Sequence, residues 1–305
     1  MKCDYILTVV IPVHNRERIV LSALDSIADK RCNNRVKVIV IDDNSTDLTF
    51  EVVKDWISLH DEMNVSLIKT DVKGASGARN RGLAEVDTEF TMFFDSDDRM
   101  MPGFLSRVVA SLDMTAADIV GWDVNFTGKG KPRRIFSAEN VWMNHLVHGA
   151  LSTQRYVART SIFRTAGGWN EKLEAWTDYE LGVRLLGLNP KIEKLRLDYR
   201  KTVEVNYTNE SITDNASKNP ERWIRALDVV EHSLKILSPR DLGWIQYRRA
   251  ILAAAINGNG QTDIARNELK KAIDGSRIPA NVVKMIYCLH HIFGRGTWLI
   301  ASLYC

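Results

Sequence analysis

The first 112 residues alternate short apolar runs with segments of helical spacing, and this alternation constrains the fold more than any other feature. The apolar runs are five to eight residues long and rich in β-branched or aromatic side chains, which is typical of strands buried on both faces. The runs are Ile6–Val13, Val36–Ile41, Val65–Lys69 and Phe90–Phe94, and the helical segments are Arg16–Ala28, Leu48–Leu59, Ala75–Ala84 and Gly103–Leu112. This order predicts an α/β fold in which helices cover both faces of a mostly parallel sheet.

The remainder of the chain is less regular at first and then becomes helical. We predict no clear pattern over 120–160, then a helix over Thr177–Leu186, a late strand over Val203–Tyr207, three helices between Pro220 and Ile273, and another helix after Pro279. Breaks at Ser238-Pro239 and at 257–260 separate the three helices. The pattern therefore predicts an α/β domain over residues 1–215 and a C-terminal α-helical extension over residues 216–305.

Composition excludes several classes of protein. Of the 305 residues, 45% are hydrophobic, enough for a sizeable core, and the net charge of +3 gives no case for nucleic acid as a partner. The four cysteines have no metal-ligand spacing, no signal peptide precedes the first strand, and no apolar run reaches the ~18 residues of a membrane span. We therefore expect a cytoplasmic protein. The apolar segment Val282–Tyr304 carries charged and histidine residues, and predicts either a packed helix or one that contacts the inner face of the plasma membrane.

Polar side chains follow three of the predicted strands. They occur in Pro12-Val-His-Asn, in Asp42-Asp-Asn-Ser and in Asp95-Ser-Asp-Asp. Ligands of parallel sheets bind outside the carboxyl ends of the strands, so these three clusters are expected to converge on one crevice. Residues two apart on an extended chain point to the same side, which brings Asp95 and Asp97 together as hard oxygen ligands suited to Mg²⁺ or Mn²⁺. The alternative is a polar turn after a core strand.

Five ordered motifs make the chain resemble the family 2 glycosyltransferases, which have the Rossmann-like GT-A fold. They are Val10-Ile-Pro-Val-His-Asn-Arg-Glu17, Ile41-Asp-Asp-Asn-Ser-Thr-Asp47, Gly74-Ala-Ser-Gly-Ala-Arg-Asn-Arg-Gly82, Asp95-Ser-Asp-Asp98, and Gly167-Gly-Trp-Asn-Glu171 leading to Trp176-Thr-Asp-Tyr-Glu180. The resemblance covers about Thr8 to Thr213. It implies an inverting transfer of a sugar from a nucleotide-diphosphate donor, by resemblance a UDP-sugar, to a hydroxyl of a glycan or lipid-linked glycan, with Mn²⁺ or Mg²⁺ as cofactor.

The resemblance also implies roles for the first two motifs. Pro12, His14 and Glu17 match the positions that hold the nucleotide base and ribose, and Asp43 matches the carboxylate that recognises the base ring. Each has a structural alternative: Pro12 as a strand terminator, Glu17 as a carboxylate at a helix start, and Asp43 as part of a helix cap. For Asp47 we favour the cap.

The third and fourth motifs supply a cation and the carboxylates. By resemblance Arg79 lies near the nucleotide and the acidic strand end, and the alternative is an internal salt bridge from Arg79 to one of the aspartates. Asp95 matches the residue that contacts ribose or metal-bound water, and Asp97 matches the direct metal ligand.

The fifth motif supplies the general base. Asp178 matches the residue that takes a proton from the acceptor hydroxyl, and the alternative is a carboxylate stabilised by a helix N-terminus. Trp176 is expected either to stack on an acceptor sugar or to pack in the core. The chain departs from the family pattern twice, with Thr177 where a glutamate usually precedes the base and Thr208 where a histidine often completes the metal site. Asn206, Glu210 or water are candidate substitutes for that histidine.

Two other functions remain open from the sequence. A sugar nucleotidyltransferase has a related sheet, but it holds a triphosphate with a glycine-rich loop after the first strand, where this chain has Pro12-Val-His-Asn-Arg. A sugar-nucleotide-binding or scaffold protein on a degenerate transferase fold is favoured by Thr177 and Thr208. The retained Asp43, Asp95, Asp97 and Asp178 argue against it.

Overall fold

The computed structural model describes residues 5–127, 133–206, 219–275, 277–293 and 297–305. The chain divides into two compact units, and neither is continuous in sequence. The first comprises residues 1–139, 150–171 and 188–208, and the second comprises residues 140–149, 172–187 and 209–305. The predicted domain boundary at 215/216 lies outside the described residues.

The strands lie in the first unit. They are β1 (Leu7–Val13), β2 (Val36–Asp42), β3 (Asn64–Lys69), β4 (Phe90–Phe93), β5 (Arg99–Met100), β6 (Ile119–Gly121), β7 (Val124–Thr127), β8 (Arg133–Arg134), β9 (Tyr156–Arg159), β10 (Ile192–Lys194) and β11 (Val203–Asn206). Within the described residues they form a seven-stranded sheet of order β10-β6-β9-β4-β1-β2-β3 and a four-stranded sheet of order β5-β11-β7-β8.

Helices occur in both units. In chain order they are α1 (Val20–Ile27), α2 (Thr49–Leu59), α3 (Ala75–Glu85), α4 (Phe104–Leu112), α5 (Val141–His148), α6 (Thr160–Thr165), α7 (Thr177–Gly187), α8 (Pro220–Leu237), α9 (Leu242–Gly258), α10 (Thr262–Asp274), α11 (Ala280–Phe293) and α12 (Trp298–Ala301). Short 3₁₀ turns lie at Thr153–Arg155, Tyr199–Lys201 and Pro239–Asp241.

The large sheet confirms the predicted mostly parallel α/β fold. Strands β4, β1, β2 and β3 run parallel to one another in that spatial order, and β9 runs antiparallel between β4 and β6. Every residue of β1 is buried, as the continuous apolar sequence requires of a central strand covered on both faces. The carboxyl ends of β1, β2 and β4 consequently lie at one edge of the sheet.

Helix α3 packs very closely against β1 and β2 because Gly82 has no side chain. A Cβ atom at Gly82 would lie 2.4 Å from Cγ1 of Val10 in β1 and 3.3 Å from Cγ1 of Ile41 in β2. The 2.4 Å separation is not possible without a shift of the helix, the strand or the Val10 side chain. The glycine that closes the third motif is thus explained by helix-to-strand packing.

Helix α1 begins at Val20, four residues later than the helical spacing predicted. The loop after β2 holds the intervening backbone: the Arg16 amide donates to Oγ1 of Thr49 (2.7 Å), and the Glu17 amide donates to Oδ2 of Asp47 (3.3 Å). Long-range hydrogen bonds therefore override helix propensity at this point. Val20, Ala23, Leu24 and Ile27 form the buried face of the remaining helix.

The segment 120–160 is more ordered than its sequence pattern indicated. It contains the strands β7 and β9, the helix α5 and the 3₁₀ turn at Thr153–Arg155. These elements are short, and β9 is paired on both sides by strands that are distant in sequence, so hydrophobic periodicity over a long window does not reveal them.

The second unit is helical and has its own core. Buried residues of α5, α7, α8, α9, α10 and α11 pack into one apolar cluster, with Trp223, Leu227 and Ile256 among its most buried members. The three helices predicted between Pro220 and Ile273 are confirmed, including both breaks. In the described part of the chain, no helix is both long enough and apolar enough to cross a membrane.

Candidate active site

The loops that follow β1 and β2 are joined by hydrogen bonds. Asn15 and Asn44 both have left-handed backbone, with φ of 52° and 53°. The amide of Asn15 donates to Oγ of Ser45 (3.0 Å), and the amide of Thr46 donates to Oδ1 of Asn15 (2.8 Å). Asparagine tolerates positive φ better than most residues, which explains its use at both turns. The two loops therefore form one continuous surface at the edge of the sheet.

His14 and Asp43 lie side by side in this surface. Nδ1 of His14 donates to the backbone oxygen of Asp43 (2.6 Å), so the hydrogen of a neutral ring is on Nδ1. Oδ2 of Asp43 accepts from the amide of Gly74, the residue before α3 (2.8 Å). Pro12 is buried within β1, and its backbone pairs with β2. His14 is exposed, whereas the Asp43 side chain is held near the start of α3.

Glu17 and Asp47 cap the start of α2. Oε2 of Glu17 accepts from the amide of Leu48 (3.0 Å), and Oδ1 of Asp47 accepts from the amide of Thr49 (3.0 Å). Burial raises the pKa of Asp47, but the hydrogen bonds from Thr49 and Glu17 outweigh that effect and hold it below its ordinary value. The capping alternative is confirmed for Asp47. Glu17 also accepts a hydrogen bond from a backbone amide at the start of α2, so its carboxylate stabilises the fold as well as being a candidate for ligand contact.

Arg79 forms the internal salt bridge that the sequence left open. Nη2 of Arg79 lies 2.6 Å from Oδ1 of Asp95, and the guanidinium carbon lies 4.4 Å from the ring centroid of Trp169. The other carboxylate oxygen of Asp95 accepts from Nε2 of Gln154. Both oxygens of Asp95 are therefore engaged, and Arg79 is almost fully buried between a carboxylate and an indole face.

The acidic segment Asp95–Asp98 is a turn and not the extended chain that the sequence predicted, since the amide of Asp98 donates to the backbone oxygen of Asp95 (3.2 Å). Asp97 has the most accessible of the three carboxylates of this acidic turn. Its side chain is 33% exposed, and its Oδ2 lies 3.7 Å from Nη2 of Arg16. Burial and the neighbouring Asp95 raise the pKa of Asp97 above its ordinary value, and Arg16 offsets part of that increase. Burial, Asp95 and Asp97 raise the pKa of the buried Asp98 well above its ordinary value. Three carboxylates thus lie close together in a largely buried turn, and a bound cation would favour their charged forms.

Asp98 also ties the acidic turn to the smaller sheet. Its Oδ1 accepts from the amide of Asn206, the last residue of β11 (2.9 Å). This contact uses the backbone amide of Asn206, whereas the side chain of Asn206 was the group considered as a metal ligand. Thr208 and Glu210, the other positions considered for a third metal ligand, lie outside the described residues.

Asn80 joins the third and fifth motifs. Its Nδ2 donates to the backbone oxygen of Trp169 (2.9 Å) and to Oε1 of Glu171 (2.7 Å), and its Oδ1 accepts from the amide of Trp169 (2.7 Å). Gly168, with φ of 68°, makes room for this side chain, since a Cβ there would lie 2.6 Å from Oδ1 of Asn80. These contacts fix the indole on which Arg79 rests.

Asp178 and Trp176 belong to the second unit. Asp178 is the second residue of α7, and its Oδ1 accepts from the amide of Tyr179 (2.8 Å). The half-buried Trp176 makes a T-shaped contact with Trp223 (ring centroids 5.0 Å apart) and lies 5.6 Å from Tyr179. The core alternative for Trp176 is therefore present in the structure, although the residue as a whole is not fully buried.

Of the residues nominated from sequence, those of the first unit gather at the edge formed by β1, β2 and β4. Two further residues were missed: Gln154, which holds Asp95, and Arg16, which faces Asp97. Arg16 lies inside the first motif, so its position was a usable signal. Gln154 lies in a 3₁₀ turn 59 residues after Asp95, and no local pattern marks it.

The acidic turn fits a hard divalent cation. Among the described residues, no group of three His, Cys, Asp or Glu side chains could by itself enclose a metal ion. Mg²⁺ commonly takes only one or two carboxylates and completes its shell with phosphate oxygens and water. Asp97 has the accessible carboxylate for this, and Asp95 and Asp98 lie in the same turn.

Comparison with known proteins identifies the family. The model of the family described as "Glycosyl transferase family 2" matches residues 8–168, more than half of the chain. The chain is 27% identical over 158 residues to Glycosyltransferase AglE of Haloferax volcanii, covering 50% of both chains. It is 29% identical over 164 residues to the poly(ribitol-phosphate) β-N-acetylglucosaminyltransferase TarS of Staphylococcus aureus, covering 52% of this chain and 27% of TarS. The chain thus spans half or less of the length of these curated relatives.

Two solved structures share the fold. TarS residues 1–349 in complex with UDP superimpose with a TM-score of 0.65 at 16% identity, covering 93% of this chain and 91% of that one. The mannosyltransferase PcManGT of Pyrobaculum calidifontis, in complex with GDP-mannose and Mn²⁺, superimposes with a TM-score of 0.62 at 14% identity, covering 99% and 87%. Taken with the five motifs and the parallel sheet, these matches mean that the chain belongs to the glycosyltransferases of family 2 and has the GT-A fold.

Proposed function

We propose that this protein is an inverting, metal-dependent glycosyltransferase that moves a sugar from a UDP-sugar to a hydroxyl of a glycan or lipid-linked glycan of the cell envelope. The observation that carries the proposal is the edge of the parallel sheet, where Asp43, the Arg79–Asp95 pair and Asp97 lie together. Asp43 is placed to recognise the base, Arg79 is a buried cation, and Asp97 is a partly exposed carboxylate that could take a metal, and such groups suit a nucleotide diphosphate and its metal. Family membership supports the reaction class.

The first unit would bind the donor. Pro12 and His14 would line the base and ribose, and Asp43, steered by the Gly74 amide, would accept from the N–H of the base ring. Glu17 would contribute chiefly by fixing the loop, because its carboxylate caps α2. The UDP complex of TarS supports UDP as the nucleotide, and the GDP-mannose complex of PcManGT makes GDP the natural comparison.

Asp97 would hold the divalent metal, with Asp95 reaching it through water or contacting ribose. When bound, Mn²⁺ or Mg²⁺ neutralises charge that develops on the departing diphosphate. Arg79 orients Asp95 by the 2.6 Å ion pair, and Gln154 holds the other oxygen of the same carboxylate. The Mn²⁺ in the PcManGT complex supports this cofactor assignment.

The remaining role is that of the general base. Inverting transfer requires a carboxylate that takes the proton from the acceptor hydroxyl as that oxygen attacks the anomeric carbon. We assign this role to Asp178, and we assign the accessible part of Trp176 to acceptor contact. Thr177 stands where a glutamate usually precedes the base. We propose that the single carboxylate of Asp178 is sufficient to take the proton.

Binding of nucleotide tests the donor site directly. We expect isothermal titration to show UDP binding that depends on Mn²⁺, and we expect Asp97→Ala to weaken that binding by about 10- to 100-fold, since even indirect metal contacts have effects of that size. The exposed Asp61, which precedes β3 at the opposite end of the sheet, provides the matched control, and Asp61→Ala should bind as the wild type does. GDP is titrated in parallel.

The outcomes separate the candidate functions. If the affinity for UDP were the same with and without Mn²⁺, and the same in wild type and Asp97→Ala, the proposed metal site would be refuted. Metal-dependent binding without turnover across a broad acceptor panel would favour the degenerate binding or scaffold protein. Release of pyrophosphate from a nucleoside triphosphate would favour the nucleotidyltransferase, against which the loop after β1 argues because it has no glycine.

We also propose that the C-terminal end of the second unit contacts a lipid surface, in keeping with the expected cytoplasmic location at the inner face of the plasma membrane. Large apolar side chains are exposed there: Ile292 (69%), Leu299 (58%), Leu303 (79%) and Tyr304 (42%). Exposed aliphatic side chains of this size can insert at a lipid interface.

Vesicle co-sedimentation tests this contact without removing core residues. We expect the wild type to sediment with phosphatidylglycerol vesicles and the double variant Leu299→Ser, Leu303→Ser to remain in the supernatant. The control is Leu59→Ser, an exposed leucine (78%) at the end of α2. Equal sedimentation of wild type and double variant would rule out the proposed contact.

A further inference from the structure

The turn that carries Asp178 has unusual backbone geometry. Trp176 has φ of 52°, a left-handed conformation that a bulky aromatic residue adopts only when its surroundings hold it there. The amide of Glu180 donates to the backbone oxygen of Trp176 (2.9 Å), and the amide of Tyr179 donates to Oδ1 of Asp178 (2.8 Å). The orientation of the Asp178 carboxylate thus depends on the conformation of this turn.

Arg248 of α9 contacts both aromatic residues of the turn. Its guanidinium carbon lies 5.4 Å from the ring centroid of Trp176 and 5.1 Å from that of Tyr179. Its Nε donates to the backbone oxygen of Leu146 (2.7 Å), and the hydroxyl of Tyr179 donates to the same oxygen (3.1 Å). Leu146 lies in the last turn of α5, where carbonyl groups have no intrahelical donor. One side chain therefore links α9, the end of α5 and the start of α7.

Arg248 is held by aromatic stacking and a hydrogen bond, and not by an ion pair. No carboxylate in the described ranges lies within ion-pair distance of Arg248, whereas the adjacent Arg249 binds three. A planar guanidinium can stack on aromatic faces and donate in plane at the same time, which lysine cannot do. The position of Arg248 therefore depends on shape and directed hydrogen bonding.

His145 holds the opposite end of Tyr179. The fully buried ring of His145 stacks on Tyr179 (5.1 Å between centroids), and its Nε2 donates to the Tyr179 backbone oxygen (2.8 Å). Gly182 allows this approach, because a Cβ there would lie 2.4 Å from the imidazole. Tyr179 is consequently fixed through its ring, its hydroxyl and its backbone, and Asp178 is the residue before it.

We propose that Arg248 is a positioning residue for Asp178, and that the C-terminal helices take part in the transfer reaction by holding the Trp176–Tyr179 turn. The inference rests on the proposed function only for the role of Asp178 as the base. It gives the helical part of the second unit a function in the chemistry, separate from any contact with membrane.

The conformational part is tested by fluorine NMR on the full chain labelled with 5-fluorotryptophan. The resonance of Trp176 is assigned from its loss in Trp176→Phe. We expect Arg248→Met and Arg248→Lys both to shift or broaden that resonance and to accelerate amide exchange over Thr177–Leu181. Arg266→Met, at a largely exposed arginine of α10, is the matched control and should change neither signal. Unchanged signals in both Arg248 variants would overturn the proposal.

The catalytic part is tested with UDP-GlcNAc as the donor probe. We expect kcat to fall by about 10²-fold in Arg248→Met, the usual effect of a small misplacement of a reacting group, with the donor KM and UDP affinity unchanged. Arg248→Lys should not restore kcat, because charge alone cannot reproduce the stacking. If the loss were confined to the acceptor KM and lysine restored it, Arg248 would bind an anionic acceptor and the positioning role would be overturned. A wrong assignment of the base would be seen separately. In that case Asp178→Asn would keep wild-type turnover, while the Arg248 variants would still alter the Trp176 resonance.

Discussion

Asp178→Asn is expected to lower the turnover number of sugar transfer by about 10²- to 10⁴-fold, the range that a positioned general base contributes. Asparagine has nearly the same shape, and its Oδ1 can still accept from the Tyr179 amide, so α7 should keep its first turn. The amide has no basic oxygen that can take the proton of the acceptor hydroxyl. The loss should therefore appear in kcat and not in the affinity for UDP.

The measurement is the release of UDP from a panel of UDP-sugars in the presence of candidate acceptors. Glu174→Gln makes the same change of charge at an exposed carboxylate four residues earlier, and it should retain wild-type turnover. Calorimetry of UDP binding in the same preparations separates chemistry from donor binding. Wild-type turnover by Asp178→Asn would show that another group acts as the base.

Arg249→Met is expected to reduce the free energy of unfolding of the second unit by about 3 kcal/mol, near the lower end of the range for breaking a buried ion pair. Arg249 is 2% exposed and contacts Asp228 (2.5 Å), Glu231 (2.8 Å) and Glu268 (2.5 Å). Its removal leaves the buried Glu268 with Lys271 alone (2.7 Å). That remaining pair is the reason for expecting the lower end of the range.

Urea unfolding followed by tryptophan fluorescence measures the loss, since five of the eight tryptophans lie in the second unit. Adding Glu268→Gln to Arg249→Met removes the carboxylate charge that Arg249 had paired, and we expect a coupling of about 1–3 kcal/mol between the two sites. The exposed Arg266 is the control, and Arg266→Met should change stability by less than about 0.5 kcal/mol. A loss from Arg249→Met as small as that of the control would contradict the prediction.

The same network gives a pH dependence with a defined sign. Burial raises the pKa of Glu231, but hydrogen bonds from Lys235 and Arg249 outweigh it and hold the pKa below the ordinary value of 4.5. A lowered pKa stabilises the fold fully above the unfolded value, and that contribution is lost as the pH falls through the folded value. The difference in stability between wild type and Arg249→Met should therefore be largest near neutral pH and should shrink below pH 4.5.

Local periodicity determined most of the architecture. A period of two or an unbroken apolar run marks a strand, and a period of 3.6 marks a helix, so β1, β2, β3 and the helices α8, α9 and α10 could be predicted within about two residues. The convergence of the polar strand ends also followed from the sequence. Parallel strands place their carboxyl ends at one edge, which brings Asp43 and Asp97 to the same side of the sheet without further information.

Only the tertiary structure decided which groups each of these side chains contacts. The choice of Asp95 as the partner of Arg79, the second contact from Gln154 and the approach of Arg16 to Asp97 join residues from different loops. The late start of α1 and the antiparallel insertion of β9 depend on hydrogen bonds between distant segments. In the second unit, Arg248 contacts the ring of Trp176, which lies some seventy residues earlier in the sequence. A sequence pattern reports the environment of one short segment, whereas each of these contacts is selected by the packing of several segments at once.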